Sequence, residues 1–306
     1  MFGALIIAYL FLGGAGAGSL TVLSLFELIG TTRLVRQKGI HRTHGFPKEF
    51  YARCWPLCLA TLIFGALCLL LDLGRIDRAL NLFLSPVASV MAVGAYTLLI
   101  AIICAAIFTL RSVLDSLSLA RRFTQILGVV GIVAGIITAV YTGILLGSLT
   151  SVLFWNSALL PALFLLSSVS TGIACILLGI SFVNVRKPVF GFIRRLIRVD
   201  MFIIAFEMLF LGVYLVSAYL DPTTESTARV FLTGDLSLIF WIGLLGCGLV
   251  LPLILEVCIS ENNYPKQILW VALFVLVGGL ILRFCIVEAA TYDVSQTPEM
   301  VYRFVT

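Results

Sequence analysis

Residues 87–110 read VASVMAVGAYTLLIAIICAAIFTL. No charge interrupts this stretch. Wound as an α-helix at about 1.5 Å per residue, it is long enough to cross the roughly 30 Å hydrocarbon core of a bilayer. Val, Ile and Phe favour strands in water, but in lipid each backbone N–H and C=O must be satisfied within its own segment, so the helix wins. Seven more stretches have the same character, at about 4–29, 55–73, 125–147, 157–183, 201–220, 236–258 and 268–289. The fold class that follows is all-α: a polytopic integral membrane protein of eight transmembrane helices, one membrane domain over residues 1–306. Composition agrees, since 61% of the residues are hydrophobic, 11% are charged and the mean hydropathy is +1.15. Soluble domains carry about 25% charged residues, so a soluble α/β enzyme is excluded. The first 18 residues imitate a signal peptide in being apolar and ending in small residues, but they lack a basic start. The apolar run also continues through Ile29, so it is expected to be retained as the first helix.

The net charge of +5 could suggest nucleic acid, but loop sorting across the bilayer explains it. When alternate connections are assigned to opposite sides, fifteen of the 20 basic residues fall on one side. They lie in the connections after the first segment (Arg33 to Arg53), the third (Arg111, Arg121, Arg122), the fifth (Arg186 to Arg198) and the seventh (Lys266). Lys and Arg accumulate on the cytoplasmic side, which predicts both termini outside and no nucleic-acid partner. No connection is long enough to be a separate globular domain.

Direction then places the polar side chains by depth. Tyr9, Asp72, Arg75, Tyr141, Trp155, Arg283 and Glu288 are all expected near the outer ends of their helices. Tyr and Trp also populate membrane interfaces, and surface Arg pairs with the nearest carboxylate. However, charges this close to apolar segments usually face a bundle interior or cavity. Their clustering in one layer suits an amphipathic pocket for a quinone headgroup, whose carbonyls need donors and whose protons need a carboxylate or water. Tyr141 and Tyr9 would hold the headgroup oxygens, with Trp155 and Arg283 alongside. Asp72 or a water would accept protons, and Arg75 would orient Asp72 or stabilise the developing anion. Glu207, about two turns into the sixth segment, is the most isolated charge. With Asp200 below it and Tyr214 above, it is a candidate proton relay, with Glu288 at the outer end; a protonated Glu bonded to a neighbouring helix is the alternative.

Metal chemistry finds no ligands in the spans. The two histidines, His41 and His44, lie in the basic connection after the first segment, so no bis-histidine haem can be built. The eight cysteines form no CxxC pair and read as small apolar packing residues. No metal site is expected, and no haem or iron-sulfur cluster in this chain. The run Gly13 to Gly18 imitates a phosphate loop, but it lies inside a span. There Gly14 and Gly18, like Gly143 and Gly147, serve close helix packing.

Several stretches together resemble the NrfD/PsrC family, the membrane subunits of polysulfide-reductase-type complexes. They are Tyr-Leu-Phe-Leu-Gly-Gly at 9–14, Leu-Asp-Leu-Gly-Arg at 71–75 with Arg78, and Tyr141-Thr142-Gly143 with Leu145 and Leu146. Trp155, Pro161 and Phe164 follow, then Gly278, Gly279, Leu282 and Arg283. Ile76 stands where the family pattern has Pro. The resemblance implies two four-helix bundles and a bound, exchangeable menaquinone or ubiquinone on the outer, periplasmic face of a bacterial or archaeal inner membrane. It also implies a peripheral ferredoxin-like iron-sulfur subunit joined to a molybdopterin catalytic subunit, or in some relatives to a multihaem cytochrome. Two rival readings are a secondary transporter, which would more often show internal repeats and broken helices, and a purely structural anchor.

Overall fold

The computed structural model describes residues 3–36, 48–73, 90–114, 120–148, 152–181, 187–234, 236–258 and 264–305. The described residues are helical apart from short turns. They comprise α1 (Ala4–Arg36), α2 (Lys48–Leu73), α3 (Val90–Val113), α4 (Arg121–Gly147), α5 (Leu159–Ser181) and α6 (Lys187–Leu220). The short α7 (Glu225–Leu232) follows, then a π-wound segment Ile239–Val250 that passes directly into α8 (Leu251–Val257), and finally α9 (Tyr264–Val305). Eight stretches within these are long and apolar enough to cross a membrane, each 19 to 28 residues in length. The protein is therefore a multi-pass membrane protein.

Two helices run furthest past the limits that apolarity alone suggests. α6 begins at Lys187 rather than near 201, so Arg194, Arg195 and Arg198 sit on a helix and not in a loop. They face outward while Ile193, Leu196 and Ile197 are buried. α9 likewise continues beyond Ala289, where its apolar span ends. α7 carries an exposed Glu225–Arg229 pair one turn apart. In the turn before it, Asp221 accepts bonds from the backbone N–H and hydroxyl of Thr223, which hold its carboxyl below the usual range.

Small residues set the helix crossings, because without a hydrophobic drive between helices in lipid the association depends on close van der Waals approach. α1 runs antiparallel to α2, with Gly13 against Gly65 and Gly16 against Leu62. It runs parallel to α5, where a Cβ on Gly18 would overlap the Ser168 carbonyl and one on Gly172 would overlap the Gly18–Ser19 peptide. Gly143 of α4 meets the Pro161 backbone of α5, and Gly248 meets Gly278 of α9. α1 packs on α2, α4 and α5, α3 packs on α2 and α4, and α9 packs on α5 and the π-wound segment. α5 is the most enclosed span, with 78% of its most apolar window buried, against 28% for α2 and α6. The consequence is an interior along α1 and α5 in which polar side chains are withdrawn from lipid.

Candidate functional site

One end of the molecule gathers the start of α1, the end of α4, the start of α5 and the end of α6; it is called here the N-terminal end. Tyr9 lies on α1 near this end, only 1% exposed, and its hydroxyl has no hydrogen-bond partner among the described residues. Tyr141 of α4 is its electrostatic neighbour and is 6% exposed. Glycine makes the room for both rings. Tyr9 lies against Gly13 one turn on, and the Tyr141 ring lies over Gly94 of α3, where any side chain would occupy the same space. A buried hydroxyl left unbonded costs about 1–3 kcal/mol. This pair therefore offers a ligand carbonyl a hydrogen bond that the protein itself leaves unmade.

Arg283 of α9 is fully buried. Its guanidinium donates from Nε to Leu10 O (3.0 Å), from Nη1 to Ser167 Oγ (3.0 Å) and Gly279 O (2.8 Å), and from Nη2 to Ser168 Oγ (3.1 Å). Phe11 and Phe164 present their rings at 6.0 and 5.5 Å, within the range of cation–π attraction. Gly14 leaves the space, since a Cβ there would stand 2.8 Å from Nη2. Counting inward from the end of the apolar run suggests that Arg283 lies at the outer end with Glu288 as its nearest carboxylate. Its bonds instead reach across to α1 and α5, and it fixes the carbonyl of Leu10, next in sequence to Tyr9.

Glu207 of α6, 3% exposed, lies beside Ser167 and within electrostatic reach of Arg283. Asp200 and Tyr214 stand seven residues to either side, so all three share one face of α6, and all are buried. Tyr214 donates to Phe154 O at 2.7 Å, and Trp155 is fully buried with Nε1 donating to Ile286 O at 2.7 Å. Together they hold the 3₁₀ turn Leu153–Trp155 between α6 and α9. Asp72 is exposed at the end of α2, next to Gly3. Glu288 is half-buried on α9. Arg75 lies outside the described residues.

The sequence-predicted residues thus fall into three groups: the two tyrosines, the Arg283–Glu207 neighbourhood, and Asp72 at the rim. Four participants were missed from the sequence. Ser167, Ser168 and Ser170 line α5, and Glu256 of α8 faces Asp200. The signal for the serines was present, because Ser167, Ser168, Ser170 and Thr171 put four hydroxyls into five residues of an apolar span. Glu256 stands near the end of its span, where an acid reads as a surface residue. Among the described residues, no cluster of three or more His, Cys, Asp or Glu could hold a metal ion. Cys54 and Cys58 instead direct their thiols at the carbonyls of Ile176 and Gly16.

Comparison with known proteins gives a consistent set of likenesses. A family model described as polysulphide reductase, NrfD, matches residues 1–295. The sequence is 32% identical over 179 residues to one of the polypeptides of the Wolinella succinogenes polysulfide reductase, a stretch covering 56% of each protein. It is 28% identical over 200 residues to protein NrfD of Escherichia coli, covering 59% of this protein and 63% of that one. It is also 30% identical over 181 residues to one of the subunits of the Mesobacillus selenatarsenatis selenate reductase, covering 56% of this protein and 40% of that one. The matched stretches thus span somewhat more than half the length of the first two of these relatives.

Proposed function

The chain belongs to the polysulphide reductase NrfD family, and from that premise we propose that it is the quinone-reactive membrane subunit of a respiratory reductase complex. It would exchange electrons between membrane menaquinone or ubiquinone and a peripheral ferredoxin-like iron-sulfur subunit, which would pass them to or from a molybdopterin catalytic subunit on the outer face. The observation that carries this reading is the buried, unbonded Tyr9 hydroxyl beside Tyr141. Relatives named as parts of a polysulfide reductase and a selenate reductase support the assignment to a complex.

A bound quinone would supply a two-electron, two-proton exchange. The residues present fit its headgroup. Tyr9 and Tyr141 each offer an O–H to a carbonyl oxygen, and the small residues Gly13 and Gly94 leave their rings room. Arg283 acts on Tyr9 at one remove, by holding Leu10 O and hence the local position of α1. Asp72, exposed at the end of α2, would pass protons to water, aided by Arg75. Glu207 and Asp200 would handle protons deeper in the span, and Glu288 would do so at the outer end of its own span. Trp155 would bound the site through its hold on α9.

The test is made on the assembled complex in its native membrane. Purification should bring down an iron-sulfur protein and an extractable quinone. The Tyr9→Phe, Tyr141→Phe double variant should assemble normally yet lose about 10- to 100-fold in quinol-dependent turnover, the size expected for hydrogen bonds to a developing charge. Unchanged turnover with correct assembly would sink the proposal.

A further inference from the structure

The half of the molecule away from Tyr9 pairs Asp200 with a second acid, Glu256, to which the tyrosine site gives no role. Asp200 on α6 and Glu256 on α8 are 0% and 4% exposed. Their carboxyls face one another within hydrogen-bonding reach. None of the four oxygens accepts a hydrogen bond from a donor among the described residues. Ser170 of α5, 1% exposed, lies beside Asp200, and among the described residues its hydroxyl also has no partner in bonding geometry. The nearest cationic side chains along α6, Arg195 and Arg198, are exposed and turned away.

Elementary electrostatics constrains such a pair. Two carboxylates in contact within a low-dielectric interior cannot both be ionised. An ionised carboxylate only accepts hydrogen bonds, whereas a protonated one also donates. Two facing carboxyls that receive nothing from elsewhere are therefore satisfied when one proton lies between them as a short O–H···O⁻ bond. Ser170 can then donate to Asp200.

A route leads on from this pair. Ser167 lies one turn from Ser170 on α5. Glu207 lies two turns from Asp200 on α6, about 10 Å along the axis. Glu207 stands beside Ser167, whose Oγ receives the Nη1 bond of Arg283. Along this route α6 supplies the carboxyls of Asp200 and Glu207 and α5 the two hydroxyls between them, and each hydroxyl can take up one proton as it releases another.

We propose that Glu256 and Asp200 share one proton, exchanging it with the membrane face opposite Tyr9 through Glu256 and with Glu207 through the hydroxyls of Ser170 and Ser167. This deepens the proton-handling part of the proposed function, and its first test involves no quinone. Infrared spectra of the purified protein in lipid, recorded in mildly alkaline solution, should contain a protonated-carboxyl band. Glu256→Gln and Asp200→Asn should each abolish it, and Glu256→Asp should retain it at a shifted position. Absence of the band from the unaltered protein, or its survival in both amide variants, overturns the proposal. So does a band that responds to sodium at fixed pH, which would identify a cation site. The path is tested in sealed vesicles bearing the assembled complex. Turnover-driven proton movement at the opposite face should fall by about tenfold or more in Glu256→Gln and recover in Glu256→Asp. Unchanged movement overturns the path. The infrared band is indifferent to Tyr9→Phe, so failure here and failure of the quinone reading are separable.

Discussion

Taking a guanidinium out of water costs several kcal/mol unless its N–H groups find acceptors and its charge finds compensation. Arg283 meets both demands, with four hydrogen bonds to α1, α5 and its own helix and with Glu207 nearby. Removing the guanidinium takes a donor from two serine hydroxyls and two carbonyls and leaves the Glu207 carboxyl without its nearby cation. Arg283→Met is therefore expected to destabilise the folded protein in detergent by about 3–5 kcal/mol. Adding Glu207→Gln should cost less than the two single effects summed, with a coupling of about 0.5–3 kcal/mol. Strict additivity in denaturant unfolding would show that the two side chains do not sense each other. That Arg283 and Glu207 mattered was legible from their cost in an apolar span. That they are neighbours was not, since they lie far apart in sequence on helices whose rotation is set by packing.

At the level of elements, the eight spans follow from hydropathy, but their crossings depend on where glycine allows backbones to touch. Gly18 and Gly172 bring α1 and α5 together, whereas Gly212 of α6 has open space where a Cβ would stand. Gly18→Ala and Gly172→Ala should each cost about 1–3 kcal/mol and lower the folded yield, because the added methyl meets backbone that cannot give way. Gly212→Ala should be neutral or stabilising by about 0.5–1 kcal/mol. Equal responses at the three sites in thermal unfolding would contradict the α1–α5 approach. The helix ends were less legible. The first turns of α6 alternate buried Ile193, Leu196 and Ile197 with exposed arginines, an amphipathic pattern that a search for unbroken apolarity passes over. The π winding of Ile239–Val250 was invisible, since its Leu, Ile and Gly residues are equally at home in an α-helix.

For the molecule as a whole, the asymmetry of basic residues predicts an orientation with Tyr9 toward the outer surface and Glu256 toward the cytoplasm. In intact cells, an impermeant thiol reagent should label Thr223→Cys, in the exposed turn after α6, and should spare the exposed Cys258 at the end of α8. The reverse pattern would place the tyrosines on the cytoplasmic side and refute an outer-face reductase partner. The all-helical, multi-pass architecture and the family were readable from composition and a handful of motifs. The depth order of the polar interior was not, because the Asp200–Glu256 contact joins residues from separate spans that no local pattern links.

The π-wound segment also makes this protein sensitive to its own residue count. Ile239–Val250 runs unbroken into the helix that bears Glu256, so the azimuth of that carboxyl is fixed by how many residues precede it. Losing or gaining one position there, with the winding kept, would swing everything downstream by roughly a quarter turn and carry the acid out of sight of its neighbour. Except at Gly248, where a Cβ would meet the Gly278 backbone, substitutions along the segment are thus tolerated better than insertions and deletions, a constraint on length more than on chemistry.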